Sequence, residues 1–357
     1  MNEIPIIIPA YEPDDRLPAL LEELMSSGIG PVVVVNDGSG PEYDKYYTEA
    51  ETKYGCILIK HAVNLGKGRA LKNAFNYCIN TWPDMIGCIT ADSDGQHTVE
   101  CIRKCKDALI AEPDNLVLGV RDFSGDDIPW KSRFGNNITR VVCKLLTGLN
   151  IKDTQTGLRG IPLEFMKTCM SIVGERFEFE TRMLVESKEK CDITQVPIKT
   201  IYDSKENHTT HFNPVKDSIR IYKIFGGMFI KFVFSALSSS VIDLVLFSVF
   251  CGLLKGAFGT ESVLYVTVAT VLARIISATY NYLINYRVVF KSSADHRKSA
   301  IRYATLAIIQ GTCSAVLVTL GVKLLPAAPE LLVKIVVDVV LFFISYTIQR
   351  EVVYKNL

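Results

Sequence analysis

Ile86-Gly87-Cys88-Ile89-Thr90-Ala91-Asp92-Ser93-Asp94-Gly95-Gln96-His97 is the stretch on which the fold turns. A short apolar strand runs straight into a polar loop in which two carboxylates flank one residue. A strand without polar alternation belongs in a parallel sheet covered on both faces. The same strand-then-polar-loop pattern occurs twice upstream. Pro5–Pro9 ends in Ala10-Tyr11-Glu12-Pro13, and Val32-Val33-Val34-Val35 stops at Asn36-Asp37-Gly38-Ser39. Cys56–Lys60 reads as a further strand, and 116–119 as another. Helical segments lie between them: Arg16–Ser26, with Leu17, Leu20, Leu21 and Leu24 on one side, then Tyr43–Tyr54, Arg69–Asn80 and 98–111. Alternation of strand and helix predicts a mostly parallel sheet with helices on both faces. Ligands of such sheets bind outside the carboxyl ends of the strands, where Tyr11-Glu12, Asp37-Gly38-Ser39 and Asp92–Gln96 all fall.

The rest of the chain has a different composition. Of the 357 residues, 1–225 hold 27 Lys+Arg against 32 Asp+Glu, and 226–357 hold 12 against 6. A polar domain with a net of −5 is joined to an apolar one with a net of +6. The overall charge of +1 gives no support for a nucleic-acid binder. Phe232–Leu254, Val263–Ile284 and Tyr303–Val322 are 23, 22 and 20 residues long with at most one charge each. Leu331–Ile348 adds 18 residues with Lys334 and Asp338. A helix needs about 20 mostly apolar residues to cross a bilayer, so four spans are predicted. Basic residues gather before the first run (Lys216, Arg220, Lys223, Lys231), between the second and third (Arg287, Lys291, Arg297, Lys298, Arg302) and in the tail (Arg350, Lys355). The other two loops carry little charge. That distribution places both termini and the polar domain in the cytosol. Asp217–Phe229 reads as an amphipathic helix at the membrane surface or as a linker helix. The N-terminus lacks a secretory signal, and the ten cysteines include no Cys-x-x-Cys pair, as expected of reduced thiols.

Asp92 and Asp94 repel each other unless a cation joins them. Two hard oxygen donors with open positions suit Mg²⁺ or Mn²⁺ holding a diphosphate, and Gln96 can add a carbonyl oxygen. Asn64-Leu65-Gly66-Lys67-Gly68 before a helix offers backbone N–H groups and an ammonium to a phosphate. The spacing is not that of a P-loop, which disfavours a nucleotide hydrolase.

With these strings assembled, the first part resembles glycosyltransferase family 2, in the branch of dolichol-phosphate mannose synthase. The matching strings are Ile8–Glu12, Val35–Ser39, Asn64–Gly68, Asp92–His97, Gly119-Val120-Arg121 and Asp153-Thr154-Gln155-Thr156-Gly157. The second part is similar to the GtrA-like four-span domain, through Lys231-Phe232, Asn281-Tyr282, Asn285, Arg287–Phe290 and Arg350–Val353. The resemblance implies an α/β GT-A (Rossmann-like) cytosolic domain over 1–215, an interface helix or linker over 216–229, and an all-α four-helix transmembrane domain over 230–357. It further implies a nucleotide-sugar donor, a divalent cation (Mg²⁺ or Mn²⁺), a polyprenyl (undecaprenyl or dolichyl) phosphate acceptor in membrane lipid, and inversion at the anomeric carbon. The setting it suggests is a bacterial plasma membrane; self-association stays open.

Carried over by motif, Pro9, Tyr11, Glu12 and Asp37 would hold the nucleoside and Lys67 the nucleotide or diphosphate. Asp92, Asp94 and Gln96 would hold the cation and sugar phosphates. Arg121 and Arg133 match basic positions that receive phosphate groups, and Asp153 would shape the sugar or acceptor site. Two departures stand out. Asn36 replaces the commoner first Asp, and Asn207-His208-Thr209-Thr210-His211-Phe212 stands where a segment with Arg and Ser-Lys is usual, leaving His211 to supply that positive charge. A component that moves a lipid-linked sugar across the bilayer, a processive polysaccharide synthase and a nucleotidyltransferase are the competing readings. The second is disfavoured by the absence of a Gln-x-x-Arg-Trp string.

Overall fold

In the computed structural model, residues 3–121, 130–188, 190–199, 214–258, 264–325 and 329–355 are described, with side chains omitted for 130–135, 214–222 and 256–258. The chain divides into two units, Met1–Ile224 and Phe225–Leu357.

The first unit runs β1 (Ile6–Ala10), α1 (Arg16–Ser26), β2 (Val32–Asn36), α2 (Asp44–Thr52), β3 (Ile57–Lys60), α3 (Lys67–Thr81), β4 (Gly87–Thr90), α4 (Val99–Ala111), β5 (Leu116–Arg121), α5 (Trp130–Thr147), β6 (Arg159–Pro162), α6 (Leu163–Cys169), α7 (Glu178–Ser187) and β7 (Ile193–Ile198). The seven strands lie in the order β3-β2-β1-β4-β6-β5-β7. All pairings are parallel except those of β6, which runs antiparallel to both β4 and β5.

The period of two along a strand divides the interior in two. Ile6, Ile8, Val32 and Val34 join one core with Leu17, Leu20, Leu21 and Leu24 of α1, Tyr47 of α2 and Ile102 of α4. Ile7, Val33 and Val35 point the other way, into a core with Ala70 and Phe75 of α3, Phe165 of α6 and Phe179 of α7. Buried on both faces, these strands need no polar alternation, which is why they read as continuous apolar runs. β6 and β7 were not foreseen. Arg159-Gly160-Ile161-Pro162 has neither length nor β-branched content to announce a strand, and it exists because β4 and β5 leave a gap that it fills. Being antiparallel, β6 starts at the edge where its neighbours end, and it brings 153–158 to the carboxyl ends of β4 and β5.

α8 (Pro214–Phe258) is one 45-residue helix that begins in the first unit and continues into the second, so no break separates 216–229 from the first apolar run. It is followed by α9 (Leu264–Ile284), α10 (His296–Leu324) and α11 (Glu330–Ile348). Among the described residues, three segments are long and apolar enough to cross a membrane: Lys223–Lys255, His296–Leu324 and Glu330–Val353. α9, which carries Arg274 and Asn281 within its 21 residues, is the fourth helix of the region. α9 and α11 each end in a π turn, Asn285–Val289 and Gln349–Val353. The two turns meet. Asn285 Nδ2 donates to Gln349 Oε1 (3.0 Å) and the Phe290 and Tyr354 rings stack at 4.9 Å. Asp243 and Arg274 pair at 3.3 Å, and Ser277 Oγ donates to Asp243 Oδ1 at 2.8 Å.

Candidate active site

Three loops converge at the carboxyl edge of the sheet. After β1, Glu12 adopts a left-handed conformation (φ 51°), and its N–H donates to Ser39 Oγ at 2.9 Å. Ser39 Oγ lies 2.7 Å from the Tyr47 hydroxyl, which donates to Ala10 O at 3.1 Å. The loops after β1 and β2 are thus tied to one buried phenol, held protonated by burial. Pro9 is buried inside β1, while Tyr11 and Glu12 lie at the open end. A hydrogen bond with the Glu12 carboxylate, then burial, keeps the Tyr11 phenol above its ordinary range.

Asp37, expected to hold the nucleoside, makes several hydrogen bonds within the chain. Its side chain is buried, and its oxygens accept from His61 Nδ1 (2.7 Å), Leu65 N (3.0 Å) and Gly66 N (2.8 Å). Asn73 Nδ2 donates to His61 Nε2 at 2.8 Å, which leaves the imidazole proton on Nδ1 facing Asp37. Asp37 therefore fastens the 64–66 loop to the end of β2 and sets the start of α3. Gly66 makes that turn at φ 98°, where a Cβ would meet the Glu175 carbonyl. The next residue is Lys67.

Lys67 Nζ reaches Asp92 Oδ1 at 2.7 Å and Glu180 Oε2 at 2.9 Å. Asp92 rests directly on Gly157, where any Cβ would collide with its carboxylate. Thr90 Oγ1 donates to Gly157 O at 2.9 Å and fixes that floor. His97 Nε2 stands 3.7 Å from Asp92 Oδ2. Asp94 Oδ1 accepts from the Gln96 N–H at 3.1 Å, so Asp92, Asp94 and Gln96 share one tight loop. Burial opposes ionisation of both carboxyls. At Asp92 the Lys67 charge overcomes burial and holds the pKa well below the usual carboxylate range. At Asp94 burial and then the neighbouring Asp92 charge raise it. Environments that push two adjacent carboxyls apart mark a functional site more often than a structural one.

These donors fit a Mg²⁺- or Mn²⁺-type ion. Among the described residues no group of three or more His, Cys, Asp and Glu side chains is arranged for a metal. Two carboxylates with remaining positions left to water and phosphate oxygens are what a cation shared with a diphosphate requires.

Arg121, at the end of β5, is gripped by fully buried Asp153: Nε to Oδ2 at 2.6 Å and Nη2 to Oδ1 at 3.1 Å. The Gln155 N–H also donates to Asp153 Oδ1 at 3.1 Å. Asp153 thus orients Arg121. The side chain of Arg133, on α5, and the whole of His211 lie outside the described residues.

Two further groups escaped the sequence reading. Glu180, in the first turn of α7, is the second acceptor of Lys67. Arg159, at the start of β6, is fully buried, donating Nε to Thr156 O (2.9 Å) and Nη1 to Glu180 O (2.8 Å). The available signal for Glu180 was a carboxylate set among Phe179, Met183 and Leu184 on the apolar side of a short helix.

Comparison with known proteins gives two family matches: Glycosyl transferase family 2 over residues 6–169, and GtrA/DPMS, transmembrane domain, over 231–354. The chain is 30% identical over 206 residues to an uncharacterized protein of Methanocaldococcus jannaschii, spanning 56% of this chain and 82% of that one. It is 28% identical over 219 residues to the UDP-N-acetylglucosamine–dolichyl-phosphate N-acetylglucosaminyltransferase of Methanococcus voltae, spanning 55% and 85%. It is 24% identical over 242 residues to the dolichyl-phosphate beta-glucosyltransferase of Dictyostelium discoideum, spanning 60% and 72%.

Proposed function

Because the chain belongs to glycosyltransferase family 2 and continues into a GtrA/DPMS transmembrane domain, we propose that this membrane-bound glycosyltransferase moves a sugar from a nucleotide-sugar to a polyprenyl phosphate. The observation that carries the reading is the placement of Asp92, Asp94 and Lys67 together at the strand ends, a mixed-charge site suited to a diphosphate. The two relatives named for transfer to dolichyl phosphate support the acceptor class.

An acceptor phosphate is already ionised at neutral pH and needs no strong base. The chain's task is then to position two phosphorylated substrates and to stabilise the leaving diphosphate. Asp92, Asp94 and Gln96 would hold a divalent ion, which would supply charge compensation for that leaving group. Lys67, presented by the first turn of α3, contributes positive charge to the pocket between Asp92 and Glu180. Tyr11 and Glu12 line the open end of β1 on the nucleoside side, and Asp37 acts behind them by fixing the loop that carries Lys67. Arg121, locked by Asp153, orients the acceptor phosphate through charge-assisted hydrogen bonds, with Arg133 and His211 as further cationic partners. Attack from the face opposite the leaving group inverts the anomeric carbon. The catalytic unit and both termini lie on the cytosolic side, where nucleotide-sugars are found.

The test incubates the full chain in lipid nanodiscs with UDP- and GDP-linked sugars and either undecaprenyl or dolichyl phosphate, with products read by mass spectrometry. A lipid bearing one sugar through one phosphate is expected. A polymer, a nucleotide-sugar product, or no glycolipid from any pairing refutes the reading.

A further inference from the structure

Lys67 occupies the place that a cation must take. Its ammonium lies 2.7 Å from Asp92 Oδ1, and the other oxygen of Asp92 is hemmed in by Gly157 below and by His97 at 3.7 Å. An ammonium and a divalent ion cannot both sit within bonding distance of one carboxylate oxygen without strong like-charge repulsion. Lys67 must therefore give way when a cation arrives, and burial forbids it to stand unpaired.

Glu180 is the other carboxylate that Lys67 already touches, at 2.9 Å. Its side chain is largely buried. Its second oxygen, Oε1, is buried with no hydrogen-bond partner, and so is Arg159 Nη2 in the neighbouring guanidinium. Glu180 thus holds an unused acceptor in reserve. The backbone around it is fixed by the Arg159 Nη1 bond to Glu180 O. Lys67 itself is pinned at its base, because Gly68 packs against Phe179 and the Glu175 carbonyl so closely that a Cβ would collide with both. Only the flexible end of the lysine is free to move, over the short distance between two carboxylates already in contact.

We infer that Glu180 is a positioning residue that receives Lys67 when a divalent cation takes Asp92. Lys67 then serves as a built-in counter-ion. It neutralises Asp92 in the empty site, moves onto both oxygens of Glu180 as the cation binds, and returns when the product diphosphate leaves with its cation. Asp92 and Asp94 never face each other uncompensated. The inference rests on the assignment of Asp92 as a cation ligand made above.

The test is Mn²⁺ binding by the full chain in nanodiscs without nucleotide, read from the electron paramagnetic resonance signal of free Mn²⁺. Glu180→Gln removes the receiving charge and leaves Lys67 on Asp92, so Mn²⁺ affinity falls roughly tenfold or more. Lys67→Met removes the competitor, so affinity rises. In the Lys67→Met background Glu180→Gln changes affinity less than about twofold. Unchanged binding in Glu180→Gln overturns the inference, as does an equal loss with or without Lys67, which would make Glu180 a ligand itself. Weaker binding in Lys67→Met overturns it too, and that arm stands even if Glu180→Gln fails to fold. Asp92→Asn separates the two levels: if it binds Mn²⁺ as the wild type does, the cation assignment fails.

Discussion

Replacing Asp153 with Asn tests the view that this carboxylate works by holding Arg121. The pair makes two contacts, at 2.6 and 3.1 Å, and Asp153 has no exposure at all. Asn keeps the shape but presents an NH₂ group to one arm of the guanidinium, so one charge-assisted contact becomes a donor facing a donor. Removing one partner of a buried pair costs about 3–5 kcal/mol. The Arg121 side chain is 19% exposed and can recover some hydration, so the lower end, about 3 kcal/mol, is expected here. For a unit of about 200 residues, that shifts the midpoint of unfolding down by roughly 6–12 °C. The assay is thermal unfolding in detergent, followed by near-ultraviolet circular dichroism, with the double variant Arg121→Gln/Asp153→Asn completing a cycle. The double variant is expected to melt well above the sum of the single losses. A midpoint within about 2 °C of wild type for Asp153→Asn would mean that the pair is solvated in solution, and the positioning role would fall.

Asp94→Asn should abolish transfer yet melt no lower than wild type, since it removes a carboxyl that burial and Asp92 both disfavour in its charged form; a clear drop in melting temperature would refute this account. Gly157→Ala should push the Asp92 carboxylate off its floor and reduce kcat/KM at least about tenfold with the fold retained; near-normal kinetics would show that Asp92 has room to move. Thorough chelation should stop transfer, with Mn²⁺ or Mg²⁺ restoring it; turnover in a chelated sample would remove the cation from the proposal. In the membrane unit, Asp243→Asn and Arg274→Gln should each lower thermal stability, and the double change should cost less than the sum; additive losses would deny their pairing.

The parallel strands and their helices were legible because burial on both faces writes itself into a strand as an apolar run. Val32–Val35 needs no partner to be recognised. Leu17, Leu20, Leu21 and Leu24 were likewise visible at helical spacing, and all four are buried. The Asp92–Gln96 loop could be read because its members are neighbours in the chain. The Asp243–Arg274 contact joins the single charges, of opposite sign, that the first two apolar runs carry.

β6 stayed hidden, since four residues including Gly and Pro become a strand only when two others offer edges. The role of Asp37 stayed hidden as well: an Asn-Asp-Gly-Ser turn looks the same whether its carboxylate faces a ligand or, as here, closes a loop through His61 and Gly66. The kinship of the π turns at Asn285 and Gln349 emerged only once their side chains were seen to meet. By itself the sequence determined the strands β1 to β5, the helices between them and the apolar spans, and which motifs stand at strand ends, because those properties are local and repeat with the period of the backbone. Tertiary structure alone decided that Lys67 lies between Asp92 and Glu180 and that Asp153 grips Arg121. These contacts join residues far apart in the chain, and their distances follow from strand order and helix packing, which no local pattern encodes.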